Sequence, residues 1–316
     1  MANGENIGVV TCCWRGDEQL VKATCASVRH FCPDVPLCII VDGDLNIDRW
    51  AGIYDAKVLY VRDLKCQELR QVMLSSMFAK HAALFEGPFE RFIYLDSDAL
   101  FWGNPFKEVS LQQHDVTIFG GSGRVNPIMI EKWQFAMEKM RQFDPEFRLL
   151  EHPYFSAGVY GARKNCVPKD RFLTLARIGR KDAEFFKFGD QGVLNYLIFS
   201  EMERGNLSYQ TANLQFFPGH FPKNEMNVRF TGAWLTPPPK QPAENLVLHF
   251  SGKKPVPCLG GQNHKATFTC FRLLHCRLAG LSWWRAVTNI MAEDIMLVVQ
   301  KISRKFQRAL SGSQRS

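Results

Sequence analysis

The chain has 316 residues, 46% hydrophobic and 22% charged, so it is an ordinary globular protein rather than a disordered or fibrous one. Its net charge of +8 belongs to the last fifth: residues 251–316 hold eleven Lys and Arg against Glu293 and Asp294, while the preceding body is close to neutral. No apolar run approaches the roughly 18 residues of a spanning helix. The polar opening lacks the pattern of a secretory signal, and the ten cysteines form no CxxC pair, so we expect reduced thiols and a cytoplasmic location.

Ile7 to Trp14 is a short apolar run and reads as a first buried strand, with Thr11 near its end. Arg15-Gly16-Asp17 breaks it, and Glu18 to Phe31 carries apolar residues at helical spacing until Pro33. Leu37–Val41 is a second strand, closed by Asp42-Gly43-Asp44, and Val58–Val61 a third. A helix is predicted from about Gln67 to Phe85, carrying Lys80. A strand over Phe92–Leu95 follows, then the turn Trp102-Gly103-Asn104-Pro105 and a strand at Val116–Phe119. Trp133 to Phe143 reads as helix, Phe155 to Tyr160 as strand, and Gly192 to about Met202 as an apolar helix after Gly189-Asp190-Gln191. Residues 205–245 are rich in Pro, Asn, Gly and Phe and read as long loops, before a last strand at Leu246–Phe250.

This alternation predicts an α/β fold, a mostly parallel sheet with helices on both faces, where ligands bind beyond the carboxyl ends of the strands. Neither GxGxxG after the first strand nor GxxxxGK[ST] occurs, which argues against a dinucleotide site or a P-loop.

Asp96 and Asp98 emerge from the strand Phe92–Leu95. Alternate residues of an extended chain point the same way, so both carboxylates face one side and Ser97 the other. Two carboxylates on one face repel unless a cation lies between them, and a hard divalent ion is the usual one. An acidic turn that caps the next segment is the competing explanation. His249 ends an apolar strand just before Gly252, Lys253 and Lys254. It is either a buried structural histidine or a third ligand, and two carboxylates with one imidazole suit Mn²⁺ better than Mg²⁺. Asp190 could act at a reacting carbon or simply cap the helix it precedes. Lys80 could reach a phosphate or be a solvated charge on a helix. Gly120-Gly121-Ser122-Gly123 reads as a flexible loop.

The ordered series of an apolar strand with DxD, then Phe155-Ser156-Ala157-Gly158-Val159, Asp190-Gln191-x-x-Leu194-Asn195, and His249-Phe250-x-Gly252-x-Lys254-Pro255 resembles the family-8 GT-A glycosyltransferases, the glycogenin and lipopolysaccharide galactosyltransferase type. The resemblance covers about residues 7–256. It implies a GT-A (nucleotide-diphospho-sugar transferase) fold, a nucleotide-sugar donor that is usually UDP-linked, Mn²⁺ or a similar cation, and transfer to an acceptor hydroxyl with retention. By resemblance, Asp96, Asp98 and His249 are the metal ligands, and Asp190 and Gln191 lie near the sugar and the reacting carbon. Lys80, Gly252, Lys253 and Lys254 face the donor, as do Thr11, Ser97 and Ser156 more loosely. Ser156 stands where the family has Asn, and the closing motif is a residue short with Val256 in place of a common Trp, which implies a distant branch. A metal-dependent nucleotidyltransferase, or a relative that binds nucleotide sugar without turnover, would share the acidic motif. Saccharide, lipid-linked or protein acceptors are all compatible with the resemblance.

Beyond a catalytic domain over 1–258, residues 259–316 form a basic extension. Trp284, Val287, Met291, Ile295, Val298, Ile302, Phe306 and Leu310 recur as one helical stripe, with Trp283 at its start and basic residues at its end. Such a helix either packs on the catalytic body or lies, through 283–310, on the anionic inner face of a membrane. No nucleic-acid-binding module is present.

Overall fold

The structure is a computed structural model that describes residues 6–120, 126–230, 238–252 and 265–312. It divides into two compact units, Met1–Phe216 with Lys240–His249, and Phe217–Pro239 with Phe250–Ser316. The domain boundary expected at residue 258 falls outside the described residues.

The first unit opens with β1 (Ile7–Trp14), α1 (Glu18–Phe31), β2 (Leu37–Asp42), α2 (Asp48–Ala51) and β3 (Lys57–Tyr60). Then come α3 (Gln67–Met73), α4 (Ala82–Glu86), β4 (Arg91–Leu95), β5 (Ala99–Trp102), β6 (Val116–Ile118), α5 (Pro127–Trp133) and α6 (Met137–Phe143). It continues with β7 (Val159–Arg163), α7 (Lys169–Lys181), α8 (Asp190–Glu203), β8 (Tyr209–Thr211) and β9 (Gln215–Phe216). In the second unit lies α9 (Lys223–Arg229); the chain then returns to the first for β10 (Leu246–His249) before α10 (Lys265–Leu278) and α11 (Trp283–Gly312) of the second.

Seven strands form a mostly parallel sheet in the order β3-β2-β1-β4-β7-β6-β8, with β7 antiparallel to both its neighbours. The inner strands are apolar on both faces because helices cover both: Val9, Val10, Ile39, Ile40, Ile93 and Leu95 are all buried. Burial of each such side chain contributes about 1.5–3 kcal/mol. Gly8 is required by close packing, since a Cβ there would meet the Phe89 ring at 2.5 Å. A second, three-stranded sheet has the order β5-β10-β9. Its β5 and β10 are antiparallel, with His249 opposite Ala99, while β9 runs parallel to β10. Strand β5 begins directly after Asp98, so this small sheet positions the site.

Two predicted helices are broken. Instead of one helix over Gln67–Phe85, α3 ends at Met73, a tight 3-10 turn occupies Met77–His81, and α4 follows. Ser75 adopts a left-handed φ of 54°, and the Ser76 hydroxyl accepts from the Phe78 amide at 3.2 Å. These local bonds compete with helix continuation, as serine side chains do. The helix expected at Trp133–Phe143 is α5 plus α6, the first capped by Asn126, whose side chain accepts from Ile128 N at 2.8 Å ahead of Pro127. The strand expected over Phe155–Tyr160 begins only at Val159, and the helix expected from Gly192 begins at Asp190. The stretch expected to be all loop holds β8, β9 and α9, and β5 and α10 carry no sequence expectation.

In the second unit, α10 and α11 pack through Leu273, Cys276, Ala286, Val287 and Ile290. Of the described members of the helical stripe on α11, Val287 is buried against α10. Trp284, Met291, Ile295 and Ile302 are exposed, whereas Ala286, Ile290 and Asp294 are buried. Polar pairing explains the burial of Asp294: Arg272 of α10 donates to Asp294 at 2.6 Å and to Glu293 at 2.9 Å, with the guanidinium only 3% exposed. No helix among the described residues is long and apolar enough to cross a membrane. The nine cysteines described are all free thiols.

Asp294→Ala leaves Arg272 its bond to Glu293 but removes the shorter one, and is expected to destabilise the α10–α11 pair by about 1.5–3 kcal/mol. Chemical denaturation of the full chain would show this as an earlier transition in the second unit.

Candidate functional site

Two features of the first unit bring three ligating side chains together. Strand β4 ends at Leu95, and its continuation places Asp96 and Asp98 at the carboxyl edge of the large sheet. Antiparallel pairing of β10 with β5 then sets His249 opposite Ala99, beside Asp98. One donor atom from each of Asp96, Asp98 and His249 lies within 4.8 Å of the others. His249 Nε2 is 3.5 Å from Asp98 Oδ1 and 3.9 Å from Asp96 Oδ2. Asp98 and His249 are buried, and Asp96 is half-buried.

The surroundings fit a cation. Gly158 faces the cluster, and a Cβ there would lie 2.4 Å from His249 Cε1 and 2.6 Å from Asp96 Oδ2. Its lack of a side chain keeps the space between carboxylate and imidazole open. The Gly158 carbonyl also accepts from Asp96 N at 2.7 Å, so the motif Phe155–Val159 is tied to the acidic motif through backbone. Asn195 holds that motif from the other side, its side-chain amide bonding both N and O of Phe155 at 3.0 and 2.9 Å. Two carboxylates and one imidazole form a mixed oxygen–nitrogen set suited to Mn²⁺-like ions.

A second cluster adjoins the first. Lys80 Nζ lies 2.6 Å from Asp190 Oδ2 and 3.4 Å from Asp96 Oδ1. Lys80 is thus no solvated helix charge, because the break at Ser75–Ser76 turns it inward. Burial alone would lower its pKa, but the carboxylates of Asp190 and Asp96 outweigh burial and hold the ammonium above its ordinary value. Asp190 is the first residue of α8, and Gly189, with a φ of 53°, occupies the cap position. Burial pushes the Asp190 carboxyl up, and Lys80 partly offsets this. Burial, aided by Lys80, holds the His81 imidazole neutral, and its Nδ1 meets the Tyr160 hydroxyl at 3.4 Å. Tyr94 donates to Asp96 Oδ1 at 2.9 Å.

The remaining expected residues divide. Ser97 points away from the two carboxylates. Its hydroxyl donates to Asp17 at 2.7 Å and its carbonyl accepts from Thr24, which anchors the acidic motif to α1. Gln191 donates to the Trp133 carbonyl at 2.8 Å, next to Asp190 in sequence but bonded to α5. Thr11 is buried in β1 between Ile39 and Leu95, its hydroxyl without a hydrogen-bond partner. The Ser156 hydroxyl lies 3.4 Å from Gly158 N. Gly252 belongs to the second unit and has a left-handed φ of 92°. Lys253 and Lys254 lie outside the described residues. Three residues touching the clusters carry no sequence expectation: Tyr94, His81, and Gln215, whose amide meets His249 Nδ1 at 2.7 Å. For Tyr94 a signal existed, since it stands two residues before Asp96 and alternate strand residues share a face.

No protein-family model matches the sequence, and no curated protein matches it. Solved structures do match in fold. The galactosyltransferase LgtC, in complex with donor and acceptor sugar analogs, superposes with a TM-score of 0.55 at 17% identity, over 88% of this chain and 99% of that one. The glycosyltransferase GlyE of Streptococcus pneumoniae TIGR4 gives 0.53 at 14% identity, over 93% of this chain and 64% of GlyE. The bifunctional glycosyltransferase WbbM gives 0.53 at 16% identity, over 92% of this chain and 52% of WbbM. The chain thus spans nearly all of LgtC but under two thirds of GlyE and about half of WbbM. The fold is the GT-A glycosyltransferase fold.

Gly158→Ala tests the cluster geometry. The added methyl must displace the His249 ring or the Asp96 carboxylate, which is expected to cost about 1–3 kcal/mol of stability by overpacking. Denaturation midpoints would report the cost, and divalent-cation affinity should fall in the same variant.

Proposed function

We propose that the protein is a metal-dependent glycosyltransferase, of hexosyltransferase type, that moves a sugar from a UDP-linked donor to an acceptor hydroxyl with retention. The observation that carries this reading is the Asp96–Asp98–His249 cluster at the carboxyl ends of the strands, on a GT-A fold. The ordered motif series supports it, and so does the likeness to LgtC, whose structure holds donor and acceptor sugar analogs.

Asp96, Asp98 and His249 Nε2 would hold Mn²⁺ or a similar ion, which when bound supplies a Lewis acid for the diphosphate leaving group. The chain's own groups do the rest. Lys80 stays charged and fixes Asp190 and Asp96 in one orientation. Asp190 then offers a buried carboxylate to an electron-poor sugar carbon or to the acceptor, with Gln191 beside it in sequence. By the motif resemblance, Lys253 and Lys254 would add positive charge where negative charge develops on the diphosphate. The φ of 92° at Gly252 suits the close backbone approach that a phosphate needs. Ser156 and Thr11 line the donor side in this reading, and Ser97 orients the two ligating carboxylates. Saccharide, lipid-linked or protein acceptors remain the candidate classes, in a cytoplasmic setting. Exposed Trp284, Met291, Ile295 and Val299 of α11, followed in sequence by basic residues, suit peripheral contact with an anionic membrane face.

The test is release of UDP from UDP-sugars, with water or an added saccharide as acceptor, in the presence of Mn²⁺. Wild-type protein is expected to turn over. Asp96→Asn and His249→Ala are expected to lose more than the roughly 10–100-fold that removal of an outer-shell partner costs. Pyrophosphate as the product would point instead to nucleotidyl transfer, and tight UDP binding without turnover to a non-catalytic relative.

A further inference from the structure

We propose that Gln215 is a positioning residue that sets the tautomer of His249, its amide turning over when a cation enters the cluster. The inference rests on the cation site proposed above and goes beyond it, to a residue outside the ligand set. Gln215 opens the two-residue strand β9, which pairs with β10 so that Gln215 stands opposite Val247. Residues two apart on a strand share a face, so the Gln215 side chain runs along β10 to His249. Its amide nitrogen lies 2.7 Å from His249 Nδ1.

A neutral imidazole has one N–H and one lone pair, and only the lone-pair nitrogen can ligate a cation. The nitrogen facing Asp98 and Asp96 is Nε2, at 3.5 and 3.9 Å. In the geometry described here the Gln215 amide donates to Nδ1. That contact is a hydrogen bond when the ring proton sits on Nε2, directed at the carboxylates. That is the tautomer suited to the cluster without a cation, because it places a partial positive charge between two carboxylates.

A cation needs the opposite arrangement, with the proton on Nδ1 and the lone pair on Nε2. A half-turn about the last side-chain bond of Gln215 presents Oε1 in place of the NH₂ group, and Oε1 accepts from Nδ1–H. Glutamine serves both states because its amide carries a donor and an acceptor related by that turn. Ligating histidines are commonly oriented by such an outer partner, usually a carboxylate or a carbonyl. A carboxylate at this position could only accept, which would favour the cation-bound tautomer at all times. A lysine could only donate, which would oppose it.

The experiment uses the full-length protein and reads two things. Calorimetric titration with Mn²⁺ gives affinity, and nitrogen NMR of the histidine ring, with diamagnetic Cd²⁺ as probe, gives the tautomer. Wild-type His249 is expected to change from the Nε2–H to the Nδ1–H form on addition of Cd²⁺. Gln215→Met, close in volume but without the polar amide, is expected to bind Mn²⁺ about 10–100-fold more weakly. Gln215→Glu should restore or exceed wild-type affinity and show the Nδ1–H form before any cation is added. A merely structural glutamine would not produce that tautomer shift. Wild-type Mn²⁺ affinity in a folded Gln215→Met, or an unchanged His249 tautomer in Gln215→Glu, would overturn the inference while leaving the cation site intact. No Mn²⁺ binding by wild-type protein would overturn both together.

Discussion

Three carboxylates in one half-buried space set the terms for this structure. Asp96, Asp98 and Asp190 converge at the carboxyl edge of the sheet, and Lys80 sits between Asp96 and Asp190. Like charges this close are tolerated only with compensating positive charge. Lys80 balances the Asp96–Asp190 side. The Asp96–Asp98 side has an imidazole edge and an open space in front of Gly158. A divalent ion held by Asp96, Asp98 and His249 would balance the charge on that side.

The topology exists to make that convergence. Parallel β1, β2 and β4 deliver Thr11, Asp42 and Asp96 to one edge. The chain then leaves the large sheet for β5, and β10 returns antiparallel to it, bringing His249 to the acidic motif from the far end of the sequence. Backbone and amide bonds, from Asp96 to Gly158 and from Asn195 to Phe155, lock the motif at 155–159 and the head of α8 onto the same edge. The acidic motif is thus bonded to the motif at 155–159 and that motif to α8, while His249 joins the acidic motif through β5.

Much of this was legible in the sequence, for physical reasons. Asp96 and Asp98 could be placed on one face because extended chains alternate, and His249 because it ends a strongly apolar strand. Ser97 followed from the same alternation, although its bond to Asp17 shows an anchoring part in the fold that the motif resemblance alone does not suggest. Lys80 was placed on one continuous helix from Gln67 to Phe85, whereas it lies in the 3-10 turn Met77–His81 after the break. Only the local bonds of Ser76 and the left-handed Ser75 reveal the break. Gln215 was not legible at all. It lies in a two-residue strand within a Pro- and Asn-rich stretch, and its partner is 34 residues away, so no periodic signal marks it. On α11 the apolar stripe was legible, but the pairing of Arg272 with Asp294, which buries the Asp294 face, was not.

The most direct test of the account is calorimetric titration of the full chain with UDP, with Mn²⁺ and then with a chelator. The account predicts UDP binding that requires Mn²⁺ and disappears in His249→Ala. UDP binding of equal affinity in the chelator, unchanged by that substitution, would contradict the claim that Asp96, Asp98 and His249 act as one cation site holding a nucleotide.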